Sequence, residues 1–319
     1  MTASRQPRFI QRYVADAATE RAAAQAALLA SPASVAPKFF YDRLGSHLFE
    51  AITELPEYYP TRTEAAIFAA HGADIARCVG TGRTLIDLGA GNCAKAVSLF
   101  PLLEPSAYVA VDVSVDFLRE ALRQVQREHP RLEVTGLGLD FSHALELPDG
   151  LPAQPPVFFY PGSSIGNFTP AEAESFLRRV REHARGGGLL IGVDLVKPAH
   201  VLEPAYDDAL GVTAAFNLNL LRHLNRIAGT DFDCTQWRHV AFFDAAHSRI
   251  EMHLEARVPV AVHWPDGERR FAAGERIHTE NSCKYRVGDF AALLRDAGFT
   301  PQRHWVDAQG WFAVFWATA

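Results

Sequence analysis

The sequence predicts an α/β protein: a mostly parallel sheet closed by an antiparallel C-terminal hairpin, interleaved with a second α+β region. Three observations carry that expectation. Short apolar runs alternate with amphipathic segments between residues 84 and 194, the rhythm of βαβ units with right-handed crossovers. That rhythm stops between residues 195 and 285. Two aromatic runs then meet through Asp307-Ala308-Gln309-Gly310, which reads as a hairpin.

Taken in order, residues 13–30 are Ala-rich with interspersed charges and predict a helix that Ser31-Pro32-Ala33-Ser34 breaks. The following stretch, to about residue 60, carries no regular period. Phe39, Phe40, Tyr41, Leu44, Leu48, Phe49, Leu55, Tyr58 and Tyr59 crowd around Gly45 and Pro56 there, the composition of a pocket wall. A helix is expected over 63–78. Strands at 84–88 and 107–111 alternate with helices at 94–102 and 114–128. In the last of these, Val115, Leu118, Leu122 and Val125 fall three and four apart and so share one face. Strands at 132–134, 157–160 and 189–193 and a helix at 170–183 continue the pattern. The interruption reads as a helix at 206–227 followed by strands at 240–243, 250–258 and 276–279. A helix at 287–297 and hairpin strands at 301–306 and 311–316 complete the chain.

Composition limits the function classes. The 319 residues are 48% hydrophobic and 21% charged, the profile of an ordinary globular protein. A net charge of −6 offers no global attraction for nucleic acid or anionic lipid. No run approaches the roughly 18 apolar residues of a spanning helix, and the opening segment lacks a signal peptide's apolar centre. A cytoplasmic protein is expected by default. The four cysteines form no CxxC pair, and the thirteen histidines form no H-E-x-x-H or similar ligand spacing, so no metal is expected.

The first chemical signal is Asp87-Leu88-Gly89-Ala90-Gly91-Asn92, between a strand and a helix. Glycines let the backbone approach a ligand whose acceptors meet the free N–H groups of the helix start. The third glycine of a dinucleotide fingerprint would fall at Ala94, which leaves a nicotinamide cofactor or a plain glycine turn open. Asp112 ends the second strand, twenty-three positions after Gly89, where a carboxylate can accept both ribose hydroxyls. Asp140-Phe141, after the third strand, offers an acceptor and a ring for an adenine edge and face. This set, with the terminal hairpin, resembles the class I (Rossmann-like) S-adenosylmethionine-dependent methyltransferases.

Longer motifs narrow the resemblance. They are Lys38-Phe39-Phe40-Tyr41-Asp42, Gly45-Ser46, the run 55–64 from Leu55 to Glu64, Pro161-Gly162-Ser163-Ser164-Ile165-Gly166-Asn167, Asp194-Leu195-Val196-Lys197, Ala205-Tyr206-Asp207-Asp208, the run 211–217 and Thr279-Glu280-Asn281-Ser282-Cys283-Lys284. In this order they resemble the histidine-specific Nα-methyltransferases of ergothioneine biosynthesis, from about residue 36 onward. The resemblance implies trimethylation of the α-amino group of L-histidine to hercynine with three S-adenosylmethionine molecules. It also implies a cofactor domain of residues 61–195 with 286–319, and a substrate domain of 1–60 with 196–285. Its partner would be the small molecule L-histidine; with the charge and hydropathy above, no nucleic acid or membrane is expected, and the protein is expected to be a monomer.

Carried over residue by residue, the resemblance places the cofactor's methionine part near Tyr58, Gly89 and Lys95, its ribose at Asp112 and its adenine near Asp140 and Phe141. It assigns the histidine carboxylate to Asn167 and Tyr206, the imidazole to Glu280 and Ser282, and puts Tyr41 close to the amine. Phe49 would wall the growing cation and Met252 would line the pocket. These residue types suit the ligands, because neutral Asn and Tyr donors hold a carboxylate and Glu280 accepts a ring N–H. Polar partners of that kind reject an apolar side chain that would leave them unpaired.

Plainer readings stand beside these. Tyr58 and Tyr206 could be core tyrosines, Asn167 a helix cap before Thr169-Pro170, Met252 core filler, Lys95 a surface lysine, and Glu280 with Ser282 a solvated edge. Asn281, between those two, points away by alternation. Cys93 has no base beside it in sequence and is not expected to be a nucleophile. Methyl transfer from a sulfonium is an in-line displacement in which the amine must attack neutral, so Tyr41 or an ordered water is expected to take the proton. Competing functions are the same fold acting on another amino acid or an indole amine, and a cofactor-binding protein without turnover.

Overall fold

The computed structural model describes residues 5–12, 17–142, 144–148, 151 and 154–319. The chain divides into two compact units, one from the described residues of 1–13, 60–196 and 284–319 and the other from those of 14–59 and 197–283.

The first unit is built on an eight-stranded sheet in the order Arg8–Gln11, Glu133–Gly138, Ala107–Asp112, Thr84–Leu88, Pro156–Tyr160, Gly188–Asp194, Phe312–Thr318, Thr300–Val306. The first six strands run parallel, and Phe312–Thr318 enters antiparallel between Gly188–Asp194 and Thr300–Val306. This is the class I methyltransferase arrangement. The central strands are buried along their whole length, as parallel strands covered on both faces must be. Alternate residues therefore enter different cores. Leu85, Tyr108 and Phe159 pack with Ile67, Leu99, Leu118 and Leu122, while Ile86, Val109 and Phe158 pack with Phe176, Val180, Phe290 and Leu294.

The second unit holds a four-stranded sheet in the order Ala33–Ser34, Arg276–Cys283, Arg249–Ala256, Trp237–Asp244, and a separate hairpin of Val260–Trp264 with Gly267–Phe271. The helix Val212–Ala228 buries Phe216, Leu220, Leu221 and Leu224 and packs on Arg43–Thr53, Ala17–Leu29 and the strand Trp237–Asp244.

Several expectations need correction. The stretch read as irregular contains a 3-10 turn, Pro37–Phe40, and an α-helix, Arg43–Thr53. Asp42 caps that helix, accepting from Gly45 N at 2.8 Å; Leu44, Leu48, Phe49 and Ile52 do keep helical spacing, but Gly45 and the aromatics on either side mask so short a run. The helix expected from residue 206 starts at Val212, because the Asp208 carboxylate accepts from the N–H groups of Val212 and Thr213 at 3.0 and 2.7 Å. The strand expected over 276–279 runs on to Cys283. The strand Arg8–Gln11 and the hairpin at 260–271 carried no readable signal. The first helix spans Ala17–Leu29; residues 13–16 of the expected helix lie outside the described residues.

Candidate active site

In the first unit the glycine turn sits where the strand Thr84–Leu88 ends and the helix Ala94–Leu103 begins. Gly89 and Gly91 take positive φ values of 70° and 52°, the left-handed region that glycine enters freely. Both are open on the Cβ side: a side chain at Gly89 would meet only the Phe141 ring at 3.7 Å, and one at Gly91 nothing within 4 Å. Asp112 is tied to this turn, accepting from Gly91 N at 2.9 Å and Ser114 N at 2.8 Å. Burial pushes its carboxyl above the ordinary value, against those N–H groups. The turn thus fixes the Asp112 carboxylate, an acceptor type that suits a ligand hydroxyl.

Asp140 accepts from Ser142 N, and the Phe141 ring packs edge-on against Tyr160. The turn thus brings Gly89, Asp112 and Phe141 together. Lys95 stands in the first turn of the following helix and donates to Glu64 Oε2 at 2.6 Å. Asp87, at the end of the first strand, accepts from Tyr108 Oη at 2.7 Å. Its other oxygen, Oδ1, is buried and has no hydrogen-bond partner among the described residues. Burial raises the Asp87 carboxyl to about 7, opposed by Tyr108 and reinforced by Asp112. An orphaned carboxylate oxygen, two raised carboxyls and an uncovered glycine turn suit a cationic nucleoside, which fits S-adenosylmethionine.

Asn167 ends the 3-10 turn Ser164–Asn167. It does not cap the next helix: Thr169 does, in a capping box with Glu172. The cap reading of Asn167 is therefore set aside. Cys93 is fully buried with its thiol pushed well up, first by burial and then by Asp87, which makes it a poor nucleophile.

In the second unit, the Tyr206 and Ser282 hydroxyls share a hydrogen bond at 2.7 Å. Glu280 and Ser282 lie on the buried face of the strand Arg276–Cys283, with Glu280 opposite Met252 and Ser282 opposite Ile250. The solvated-edge reading fails for both, since Glu280 is only 8% exposed. Asn281 turns to the other face and bonds His278. Tyr206 also packs edge-on to Tyr58 at 6.3 Å, Tyr58 to Phe49 at 6.2 Å and Phe49 to Tyr41 at 5.7 Å. The result is a continuous aromatic wall running from Tyr41 to the Tyr206–Ser282 pair. Tyr58, expected with the cofactor's methionine part, also packs in this wall.

Sequence reasoning missed three residues. Phe216 touches Phe40, Tyr41 and Phe49 with centroid distances of 4.6, 5.8 and 6.0 Å. Its signal was the motif at 211–217, read only as a marker of resemblance. Glu64 and Asp87 also lay inside quoted motifs, but partners far along the chain give them their roles.

The geometry agrees with what the chain resembles. A family model described as histidine-specific methyltransferase, SAM-dependent, matches residues 20–319. The Histidine N-alpha-methyltransferase of Mycolicibacterium smegmatis is 41% identical over 309 residues, covering 94% of this chain and 95% of that one. The protein of the same name from Mycobacterium tuberculosis is 41% identical over 292 residues, covering 89% and 90%. Ergothioneine biosynthesis protein 1 of Neurospora crassa is 32% identical over 285 residues, 86% of this chain but 32% of that one. With nearly its whole length matched by the family model and by two relatives of similar size, the chain belongs to the histidine-specific, SAM-dependent methyltransferase family.

Proposed function

We propose that this protein methylates the α-amino nitrogen of L-histidine three times in succession, giving hercynine. S-adenosylmethionine, when bound, supplies the methyl group on a sulfonium, so neither a metal nor a covalent enzyme intermediate is required. In the first unit, Gly89 and Lys95 would hold its methionine part, Asp112 its ribose, and Asp140 with Phe141 its adenine. Asn167 offers an amide to the amino acid's carboxylate.

In the second unit, Glu280 and Ser282 would take the two imidazole nitrogens, Met252 would close the pocket beside Glu280, and the Tyr206 hydroxyl would donate to the carboxylate. Tyr41 would accept, directly or through water, the proton that the ammonium must lose before its nitrogen can attack. The rings of Tyr41, Phe49, Tyr58 and Phe216 pack on one another, and aromatic side chains of this kind would suit a cation that gains methyl groups and loses N–H donors. Apart from the strand Arg8–Gln11, residues 61–195 with 286–319 would serve the cofactor and residues 1–60 with 196–285 the substrate. A cytoplasmic monomer acting on the free amino acid fits this reading; among the described residues no helix is long and apolar enough to cross a membrane.

The observation that carries the reading is the buried set Glu280, Ser282 and Tyr206, a polar recognition group at the end of an aromatic wall. The test is mass spectrometry of products after incubation with S-adenosylmethionine and a panel of amino acids. One to three added methyl groups on histidine alone are expected. Methylation of tryptophan or another amino acid in preference to histidine would refute the imidazole assignment.

A further inference from the structure

Lys95 occupies an unfavourable place for a lysine. It is the second residue of the helix Ala94–Leu103, where aligned peptide dipoles disfavour a cation. Helix stability therefore does not account for it. Its ammonium is nevertheless held: Nζ donates to Glu64 Oε2 at 2.6 Å, its one hydrogen-bond partner among the described residues. Glu64 is 1% exposed, while the Lys95 side chain keeps about a third of its surface accessible. The pair is thus anchored at the carboxylate and open at the ammonium, which retains two N–H groups.

The other Glu64 oxygen has a separate task. Oε1 accepts from Gly162 N at 2.8 Å, at the start of the turn that ends in Asn167. Two glycines make room for this arrangement. A Cβ at Gly192 would lie 2.1 Å from Glu64 Oε1, and one at Gly162 would lie 2.9 Å from Lys95 Nζ. One buried carboxylate therefore fixes a lysine 31 positions away and a backbone turn 98 positions away.

We propose that Glu64 is a positioning residue that holds the Lys95 ammonium for the carboxylate of the cofactor's methionine part and sets the Gly162–Asn167 turn against it. This rests on reading Lys95 as a cofactor ligand. Lysine is a flexible point charge on a four-carbon stem, and a fixed counter-ion removes most of the conformations it would lose on binding an anion. The 2.6 Å charge-assisted bond, with a buried acceptor, is the kind that fixes such a stem.

The test is isothermal titration calorimetry on the full chain with two probes. S-adenosylhomocysteine carries the amino-acid carboxylate, and 5′-methylthioadenosine shares the nucleoside and thioether but lacks it. Glu64→Gln should weaken S-adenosylhomocysteine about tenfold or more, the size of a hydrogen bond to a charged group, while 5′-methylthioadenosine stays within about twofold of wild type. Lys95→Met should show the same selective loss, with folding checked by thermal denaturation because the variant leaves buried Glu64 without its counter-ion. The double variant should bind no more weakly than Lys95→Met alone, because Glu64 acts through Lys95. Equal weakening of both probes by Glu64→Gln, or S-adenosylhomocysteine binding unchanged in Lys95→Met, would overturn the positioning role. Failure of the wild-type protein to bind either probe would instead bring down the cofactor reading, and this proposal with it.

Discussion

The Thr279 hydroxyl donates to the Met252 carbonyl at 3.0 Å across two antiparallel strands. Thr279 is also the extra residue of a β-bulge: His278 pairs with His253 and Glu280 with Met252, leaving Thr279 unmatched. Strict alternation would put Glu280 and Ser282 on the same face as Arg276 and His278. The bulge moves them to the buried face beside Met252, and the Thr279 bond holds it there. Thr279→Val, which removes only the hydroxyl, should cost about 1 kcal/mol and lower the melting temperature by about 2 °C. It should also raise the KM for histidine. Thermal denaturation and steady-state kinetics read both effects, and no change in either would mean the bulge needs no such latch.

Glu280 lies buried opposite Met252, where its carboxylate can accept a ring N–H. Glu280→Ala should reduce kcat/KM for histidine by roughly 10- to 150-fold, the range for a hydrogen bond to a charged group. Amino acids without an imidazole should lose little. Competition between histidine and phenylalanine, followed by mass spectrometry, measures the change in preference; an unaltered ratio would place imidazole recognition elsewhere.

Asp87 should make stability depend on pH. Burial raises its carboxyl from 3.8 to about 7 in the folded protein. Between those values the unfolded chain binds fewer protons than the folded one, so stability falls as pH rises through that window and levels off above about 7. Asp87→Asn should flatten the melting temperature of the cofactor-free protein across the window and raise it at the alkaline end, while still accepting from Tyr108. Melting curves at several pH values check both.

Phe216 braces Tyr41 and Phe49 from the helix Val212–Ala228. Phe216→Ala deletes a buried ring, with a stability cost of about 3 kcal/mol or more, and loosens the wall. The expected outcome is accumulation of mono- and dimethylhistidine at the expense of the trimethylated product. Tyr41→Phe keeps the wall but removes the hydroxyl. It should lower kcat about 10²-fold with little change in KM if the hydroxyl relays the proton. Product ratios and initial rates separate the two effects.

Some of this was legible in the chain. Buried strands alternating with amphipathic helices fix the parallel sheet, because continuous apolar runs bounded by Gly and polar residues have few other uses. The glycine turn and Asp112 could be read from their spacing, since one strand-turn-helix unit sets both. Tyr206, Glu280 and Ser282 stand out only through the motifs that hold them, and their closeness to one another needs the fold. The helix Arg43–Thr53 was not found, because the aromatic residues around it obscure its period.

What the sequence by itself determined is the class of each element and the chemistry available at each motif, properties set by neighbours a few residues apart. The tertiary structure decided which face a motif presents and which distant groups it meets. Alternation puts Glu280 and Ser282 on a common face but cannot say which; the bulge at Thr279 does. Lys95 reads as an ordinary lysine until a buried glutamate 31 residues earlier in the chain fixes its ammonium, and Asp87 as an ordinary strand residue until burial leaves one of its oxygens without a partner among the described residues. Burial and long-range hydrogen bonds arise only when segments far apart in the chain are packed together, and no local pattern encodes them.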